Sequence, residues 1–263
     1  MPAVFSPRVR ILAICSAPVL ALLAVAAFAP LPFSVAQPGT TVNVLGSDHG
    51  GPVIKISKAM PRKTTGQLRM TTIAATGPDA TVRLKDVISG WFETDRAVMP
   101  RDSVYPVGKT TKEIEAHNAA EMEKSQDTAT SAALGYLHLS SKDVKVQLRL
   151  ADVGGPSAGL LFSLGIVDKL DGDGRGGDLT GGRTIAGTGT ITADGKVGAV
   201  GGVALKTQAA KRDGATVFLV PRAECADAKA ELPQGLRLIP VTTLKGAVNS
   251  LVALQSGRRV PSC

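Results

Sequence analysis

The sequence predicts an α/β or α+β fold in which helices pack on a sheet. A smaller strand-and-helix region and an apolar N-terminal segment come before it. Three observations predict this. From about residue 141 to the end of the 263-residue chain, strand-like and helix-like patterns alternate. Residues 37–140 hold two strand-like runs and a stretch patterned as one or two helices. Residues 11–29 carry no charge at all.

The uncharged segment comes first. Arg8 and Arg10 precede it, and the next basic residue is Lys55. That asymmetry keeps the tail in the cytoplasm and exports the rest. A run of this length can span a bilayer core of ~30 Å. Ser34-Val35-Ala36 offers a small-residue cleavage site. A retained anchor, a cleaved signal peptide and a buried helix all remain open. The expected organisation is a tail with anchor or signal peptide (1–36), an extracytoplasmic region (37–140) and a C-terminal domain (141–263). The chain is expected to sit in the cytoplasmic membrane as a single-pass protein, or to be secreted if the signal is cleaved.

Composition excludes some partners. Aromatic residues make up only 3% of the chain, too few for stacking platforms on single-stranded nucleic acid. The net charge is +8, but the basic residues are scattered, so no nucleic-acid partner is expected. The three histidines lie far apart and no cysteines are closely paired, so no metal is expected. Cys225 and Cys263 are the only cysteines beyond the apolar segment. An oxidising compartment permits a disulfide between them, and two free thiols are the alternative.

Within 37–140, "PVIKISKA" and "TGQLRMTTIAA" have the β-branched content and partial alternation of strands. "TTKEIEAHNAAEMEKSQDTATSAALGYL" reads as one or two helices, with Thr110 or Thr111 as N-cap. In the C-terminal domain, "VKVQLRL" alternates as a strand with one buried face. "LLFSLGIVDKL" is apolar nearly all round, hence a buried helix. "DGDGRGGD" follows as a flexible loop; Arg175 and Gly182 stand where a calcium loop needs ligands. "RTIAGTGTIT" and "KVGAV" are strands joined by a hairpin-type turn. "VALKTQAAKRDG" is a helix stopped at Gly214. "ATVFLVP", "AECADAKAEL", "LRLIPV" and "TTLKGAVNSLVAL" continue as strand, helix, strand and helix.

Between the first strand and the buried helix lies Gly154-Gly155-Pro156-Ser157-Ala158-Gly159. Gly155-x-Ser157-x-Gly159 has the form and the strand-to-helix location of a nucleophile elbow. A hydrolase of that kind needs a histidine downstream of the serine. His49, His117 and His138 are all upstream. The remaining base is a lysine, which must be neutral to act. Lysine normally titrates at ~10.4, and a useful base sits near ~7–8. Burial can supply that shift of about three units, at ~4 kcal/mol. Lys206 fits. It falls in the apolar arc of its helix with Val203, Leu205, Ala209 and Ala210, while Thr207, Gln208, Lys211 and Arg212 take the other side. A snorkelling surface lysine is the alternative.

"GGPSAG", "AGTGTI" and "GKVGAVGGVALK", in that order, resemble the proteolytic domain of Lon-type serine proteases. The resemblance runs from about residue 145 to 254. It implies the Lon fold, a mixed sheet with packed helices. It places Ser157 on the nucleophile, Lys206 on the general base and Thr188 on a threonine that positions the lysine. Thr190 stands where the family has glutamate, and Gly154 where many members carry an acid. Gly155, Pro156, Ala158 and Gly159 are expected to shape the oxyanion site and let substrate approach. "PGTTVNVLG", "TTGQLRMTTI", "MPRDSVYPVG" and "SQDTATSAAL" are similar to membrane-anchored, secreted Lon-like proteases with a PDZ domain. Here "SAALGYLHLSSKDVKVQL" leaves no room for a PDZ domain of typical size.

The resemblance implies an endopeptidase acting on unfolded or flexible protein segments, with ring-like homo-oligomers as in Lon relatives. "GTITADGKV" has the wrong spacing for a nucleotide-binding loop, and Val197 stands where Ser or Thr is required. Cleavage is therefore expected to need neither ATP nor any other cofactor. Two alternatives stay open: a catalytically silent binding or scaffold module of the same fold, and a peptidase whose target is its own N-terminal region.

Overall fold

In chain order the elements are helix α1 (Pro7–Phe28), strands β1 (Phe33–Asn43), β2 (Ser47–Asp48), β3 (Gly51–Pro52), β4 (Ile54–Ser57) and β5 (Gln67–Ala75), helix α2 (Leu84–Phe92), strand β6 (Ala97–Pro100), helices α3 (Arg101–Val104) and α4 (Thr111–Tyr136), strand β7 (Lys145–Leu148), helix α5 (Gly159–Leu170), strands β8 (Thr184–Gly187), β9 (Thr190–Ile191) and β10 (Val197–Gly198), helix α6 (Val203–Arg212), strand β11 (Val217–Pro221), helix α7 (Cys225–Ala230), strand β12 (Arg237–Val241) and helix α8 (Leu244–Gln255). The computed structural model describes residues 7–105, 110–150 and 153–263, with the backbone alone at 7–13 and 103.

Two compact units form: Met1–Ala36 with Ala75–Val107, and Gln37–Ala74 with Gly108–Cys263. These divisions differ from the boundary drawn at 140 in the sequence. The physical reason is α4. Its Met122, Ala129, Ala132 and Ala133 share one core with Leu161, Phe162 and Ile166 of α5 and with Leu68 and Met70 of β5.

In the smaller unit, β1 pairs antiparallel with β6 from Phe33↔Pro100 to Ala36↔Ala97. Of the segment 11–29, residues 11–28 are helical within α1, and Ile14, Leu20, Leu22 and Phe28 are exposed. Among the described residues, no helix is long and apolar enough to cross a membrane; the side chains of 11–13 lie outside the described residues.

The larger unit carries the strand order β12-β11-β8-β5-β1. β5, β8, β11 and β12 run parallel to one another. Parallel strands are covered on both faces, which is why Val217–Pro221 is apolar and buried at every position. The pleat sends alternate residues to opposite sides. Val217 and Leu219 join the core built with α4, α5 and α8. Phe218 and Val220 join a second core with Val203, Ala210 and Ala228 of α6 and α7.

Helix α4 starts at a capping box. Thr110 Oγ1 accepts from Glu113 N–H at 3.3 Å, and Glu113 Oε2 accepts from Thr110 N–H at 2.8 Å. Its small buried alanines let α5 lie close, and Ser163 Oγ of α5 donates to the Ala129 carbonyl at 3.1 Å.

The loop "DGDGRGGD", expected to be flexible, is tied down. Asp173 Oδ1 accepts from the N–H groups of Arg175 and Gly177. The Arg62 guanidinium donates to the carbonyls of Asp171, Gly176 and Gly177 at 2.6–3.0 Å. Composition signalled mobility, but a cation more than a hundred residues away in the chain supplies the missing partners. Cys225 and Cys263 are joined by a disulfide, with Cα atoms 5.5 Å apart.

Candidate active site

The turn that carries Ser157 is built on Gly155. At φ 87° and ψ 162° it occupies a region open essentially to glycine alone. Pro156 then starts a short 3-10 turn, Pro156–Ala158, that leads into α5. Ser157 is half-buried, Pro156 exposed and Ala158 buried. Four hydrogen bonds hold the turn from outside. Gly155 N–H donates to the Asn118 carbonyl at 3.1 Å. Ser125 Oγ donates to the Pro156 carbonyl at 3.0 Å. Gly189 N–H and Thr188 Oγ1 donate to the Ser157 carbonyl at 2.9 and 3.3 Å.

Two of these braces, Asn118 and Ser125, lie on α4 and were missed in the sequence. Asn118 acts through its backbone, which no side-chain pattern reveals. Ser125 sits at helical spacing from Met122 and Ala129, and that spacing marks it as facing the core.

Gly159 was expected to let substrate approach. Instead it is buried, and a Cβ there would lie 2.9 Å from Ile191 Cγ2 and 3.1 Å from Ser125 Oγ. It admits α4 and β9 against the start of α5, so its role is packing.

Lys206 is 4% exposed. Burial lowers its amine from 10.5 to about 8, against the opposing charge of Glu224. Thr207, read as facing the polar side, is buried as well and turns its hydroxyl to the Ala204 carbonyl. Lys206 Nζ donates to Thr188 Oγ1 at 3.2 Å. Thr188 is fully buried at the end of β8, where its N–H donates to the Leu219 carbonyl at 3.1 Å. Its one hydroxyl proton goes to Ser157, so its lone pair is what receives the lysine. A single threonine thus links the lysine to the serine residue. Among the described residues, no hydrogen bond joins Lys206 Nζ directly to Ser157 Oγ.

A groove of about 570 Å³ adjoins the turn, lined by Asn118, Ala119 and Met122 of α4 and by Leu150, Val153 and Gly154. Among the described residues, no group of His, Cys, Asp and Glu could hold a metal ion.

A glycine-built serine turn ahead of α5 and a buried lysine of lowered pKa on α6 are linked by a threonine that directly follows β8. The family model for the Lon protease (S16) C-terminal proteolytic domain matches residues 115–253, more than half of the chain. The chain belongs to this family. It is also 35% identical over 92 residues to a protein described as Lon protease from Mesomycoplasma hyopneumoniae (strain 232), covering 34% of this chain and 10% of that one. The chain thus spans about a tenth of the length of that relative. The Lon match begins inside α4, in keeping with α4 sharing the core of α5.

Thr188 gives the Lon site a direct test. Thr188→Val keeps the shape but leaves Lys206 Nζ buried without its partner. Turnover is expected to fall by roughly tenfold to a hundredfold, the scale of one lost positioning contact. Thr188→Ser is expected to keep most of it. Steady-state kinetics on a peptide substrate reads both.

Proposed function

We propose that this Lon domain is an ATP-independent serine endopeptidase. Ser157 is its nucleophile and Lys206 its general base, and it cleaves unfolded or flexible protein segments. The observation that carries this reading is Lys206: buried, lowered to about 8, and linked through Thr188 to the Ser157 carbonyl. A lysine with that pKa is partly neutral near pH 8 and able to take a proton.

In the proposed reaction, Ser157 Oγ attacks the scissile carbonyl carbon while its proton passes to Lys206 Nζ. Backbone N–H at the start of the 3-10 turn, that of Ser157 first, steadies the negative oxygen. The C–N bond then breaks, the leaving amine takes the proton from Lys206, and an ester to Ser157 remains. Water attacks the ester, Lys206 again receives the proton, and Ser157 is regenerated. The missing direct Lys206–Ser157 hydrogen bond is the one observation that favours the second reading, a silent binding module. Geometry of this kind often tightens only when substrate is bound.

The place of action is proposed on the sequence and on α1. Arg8 and Arg10 ahead of an uncharged stretch favour an anchor with the Lon domain outside the cytoplasmic membrane. The apolar side chains that α1 exposes at Ile14, Leu20, Leu22 and Phe28 are costly in water. Cleavage after Ala36 would remove the part of β1 that pairs with β6, which favours retention of the anchor.

The test is digestion of an unfolded protein by the purified chain without nucleotide. Wild type is expected to cleave, Ser157→Ala to be inert, and ATP with magnesium to change nothing. A reproducible ATP-dependent rise refutes the ATP-independent part. Inertness of the wild type on every unfolded protein tried supports the binding module.

A further inference from the structure

Helix α6 begins at Val203, three residues before Lys206. Its N-cap is Gly202, left-handed at φ 68° and ψ 33°, with no side chain to offer. The first N–H of the helix is satisfied from elsewhere: Val203 N–H donates to Asp227 Oδ2 at 3.0 Å. A carboxylate there satisfies an orphan donor and suits the positive end of the helix.

Asp227 lies on α7, a helix of 6 residues that is too short to be stable by itself. What holds α7 can be named. Cys225, its first residue, is disulfide-bonded to Cys263. Both cysteines pack on the core that contains Val203 and Ala228. Lys229 donates to the Cys263 carbonyl. The residue just before the disulfide, Glu224, is the carboxylate whose charge acts on Lys206.

We propose that Asp227 is a positioning residue for Lys206 and that the Cys225–Cys263 disulfide holds it in place, so that reducing this disulfide slows turnover. The proposal rests on the reading of Lys206 as the base. With the disulfide intact, α7 is fixed at its first residue, Asp227 caps α6, and the first turn of α6 keeps Lys206 against Thr188. A dithiol reductant breaks the S–S bond, leaves two thiols and becomes its own cyclic disulfide, transferring two electrons and two protons. α7 then loses its covalent tie, and the cap of α6 loosens with it.

The experiment measures kcat and KM of the full chain on a peptide substrate. Wild type is compared before and after dithiothreitol with Asp227→Ala, Asp227→Asn, Asp227→Leu and Cys263→Ser. Asp227→Ala is expected to lower kcat about tenfold or more, with KM within about twofold, as loss of alignment rather than of binding. Asp227→Asn keeps an acceptor oxygen and restores most of the rate, whereas Asp227→Leu, which fills the space without an acceptor, stays slow, a split that loss of packing alone would not give. Reduced wild type and Cys263→Ser fall in the same way, and dithiothreitol has no further effect on Cys263→Ser. Wild-type kcat in Asp227→Ala, or in fully reduced wild type, overturns the proposal. If Asp227→Ala does not fold, reduced wild type and Asp227→Asn decide. Full cleavage by Lys206→Ala would remove the underlying reading and this proposal with it. An inert Lys206→Ala beside a fully active Asp227→Ala would remove this proposal alone.

Discussion

Lys206→Met is expected to abolish cleavage, lowering kcat by about 10²–10⁴-fold, the usual share of a general base. Methionine fills a similar volume without an amine, so the fold is kept. In wild type, activity is expected to rise with pH through about 8, because the proposed base acts only as the neutral amine.

Stability supplies an independent check with its own sign. The amine titrates at about 8 in the folded chain and 10.5 in the ordinary state. The unfolded chain therefore holds the proton more tightly. Below about 8 the folded state bears the full penalty, of order 3 kcal/mol at ~1.36 kcal/mol per unit. The penalty fades as pH rises from 8 to 10.5, so wild-type stability should climb across that window. Lys206→Met should be at least as stable as wild type below pH 8 and lose that part of the climb. Denaturant midpoints at pH 7 and pH 10 measure this. A variant that cleaves as well as wild type, or that shows the same pH dependence of stability, would falsify the assignment of Lys206.

Phe162→Ala is expected to cost about 3–5 kcal/mol, the range for emptying a buried aromatic site. Phe162 is fully buried in α5, five residues after Ser157. Its neighbours come from α4, α5 and the sheet, which are already close-packed and can collapse only in part. A domain holds only ~5–15 kcal/mol in all, so this single change removes a large fraction. Chemical denaturation should show a lower midpoint at an unchanged slope. A loss below about 1 kcal/mol would show that the α4–α5 interface closes over the gap.

Much of the site was legible because its chemistry is local. The glycines around Ser157 announce a tight turn, and the arc of Val203, Leu205 and Ala209 marks the face that buries Lys206. The strands β8, β11 and β12 were legible as short apolar runs between turns. What was not legible depends on partners distant in the chain. Arg62 is one of the scattered basic residues, followed directly by Lys63, and nothing near it in sequence says that it closes the loop at Asp171. Asp227 reads as one acid in a short polar helix, and only the fold brings it to Val203. Gly159 matched a motif, and the motif hid its packing role against Ile191. The boundary at 140 followed a change in texture, whereas the core follows the alanines of α4.

The parallel register of β5 beside β8 bears on where this protein may be cut. Residues 108–263 contain Ser157, Thr188, Lys206 and every residue matched by the family. They lack β5, whose Leu68 pairs in register with Ile185 and whose Leu68 and Met70 are buried. They also lack β4, which pairs with β7 just ahead of the serine turn. A chain trimmed to the matched region would expose the bare edge of β8, with unpaired amides and carbonyls along an apolar strand, and such edges recruit other chains. The segment 37–74 carries no catalytic group, yet its β5 covers the edge of β8 that would otherwise stand open to pairing with another chain.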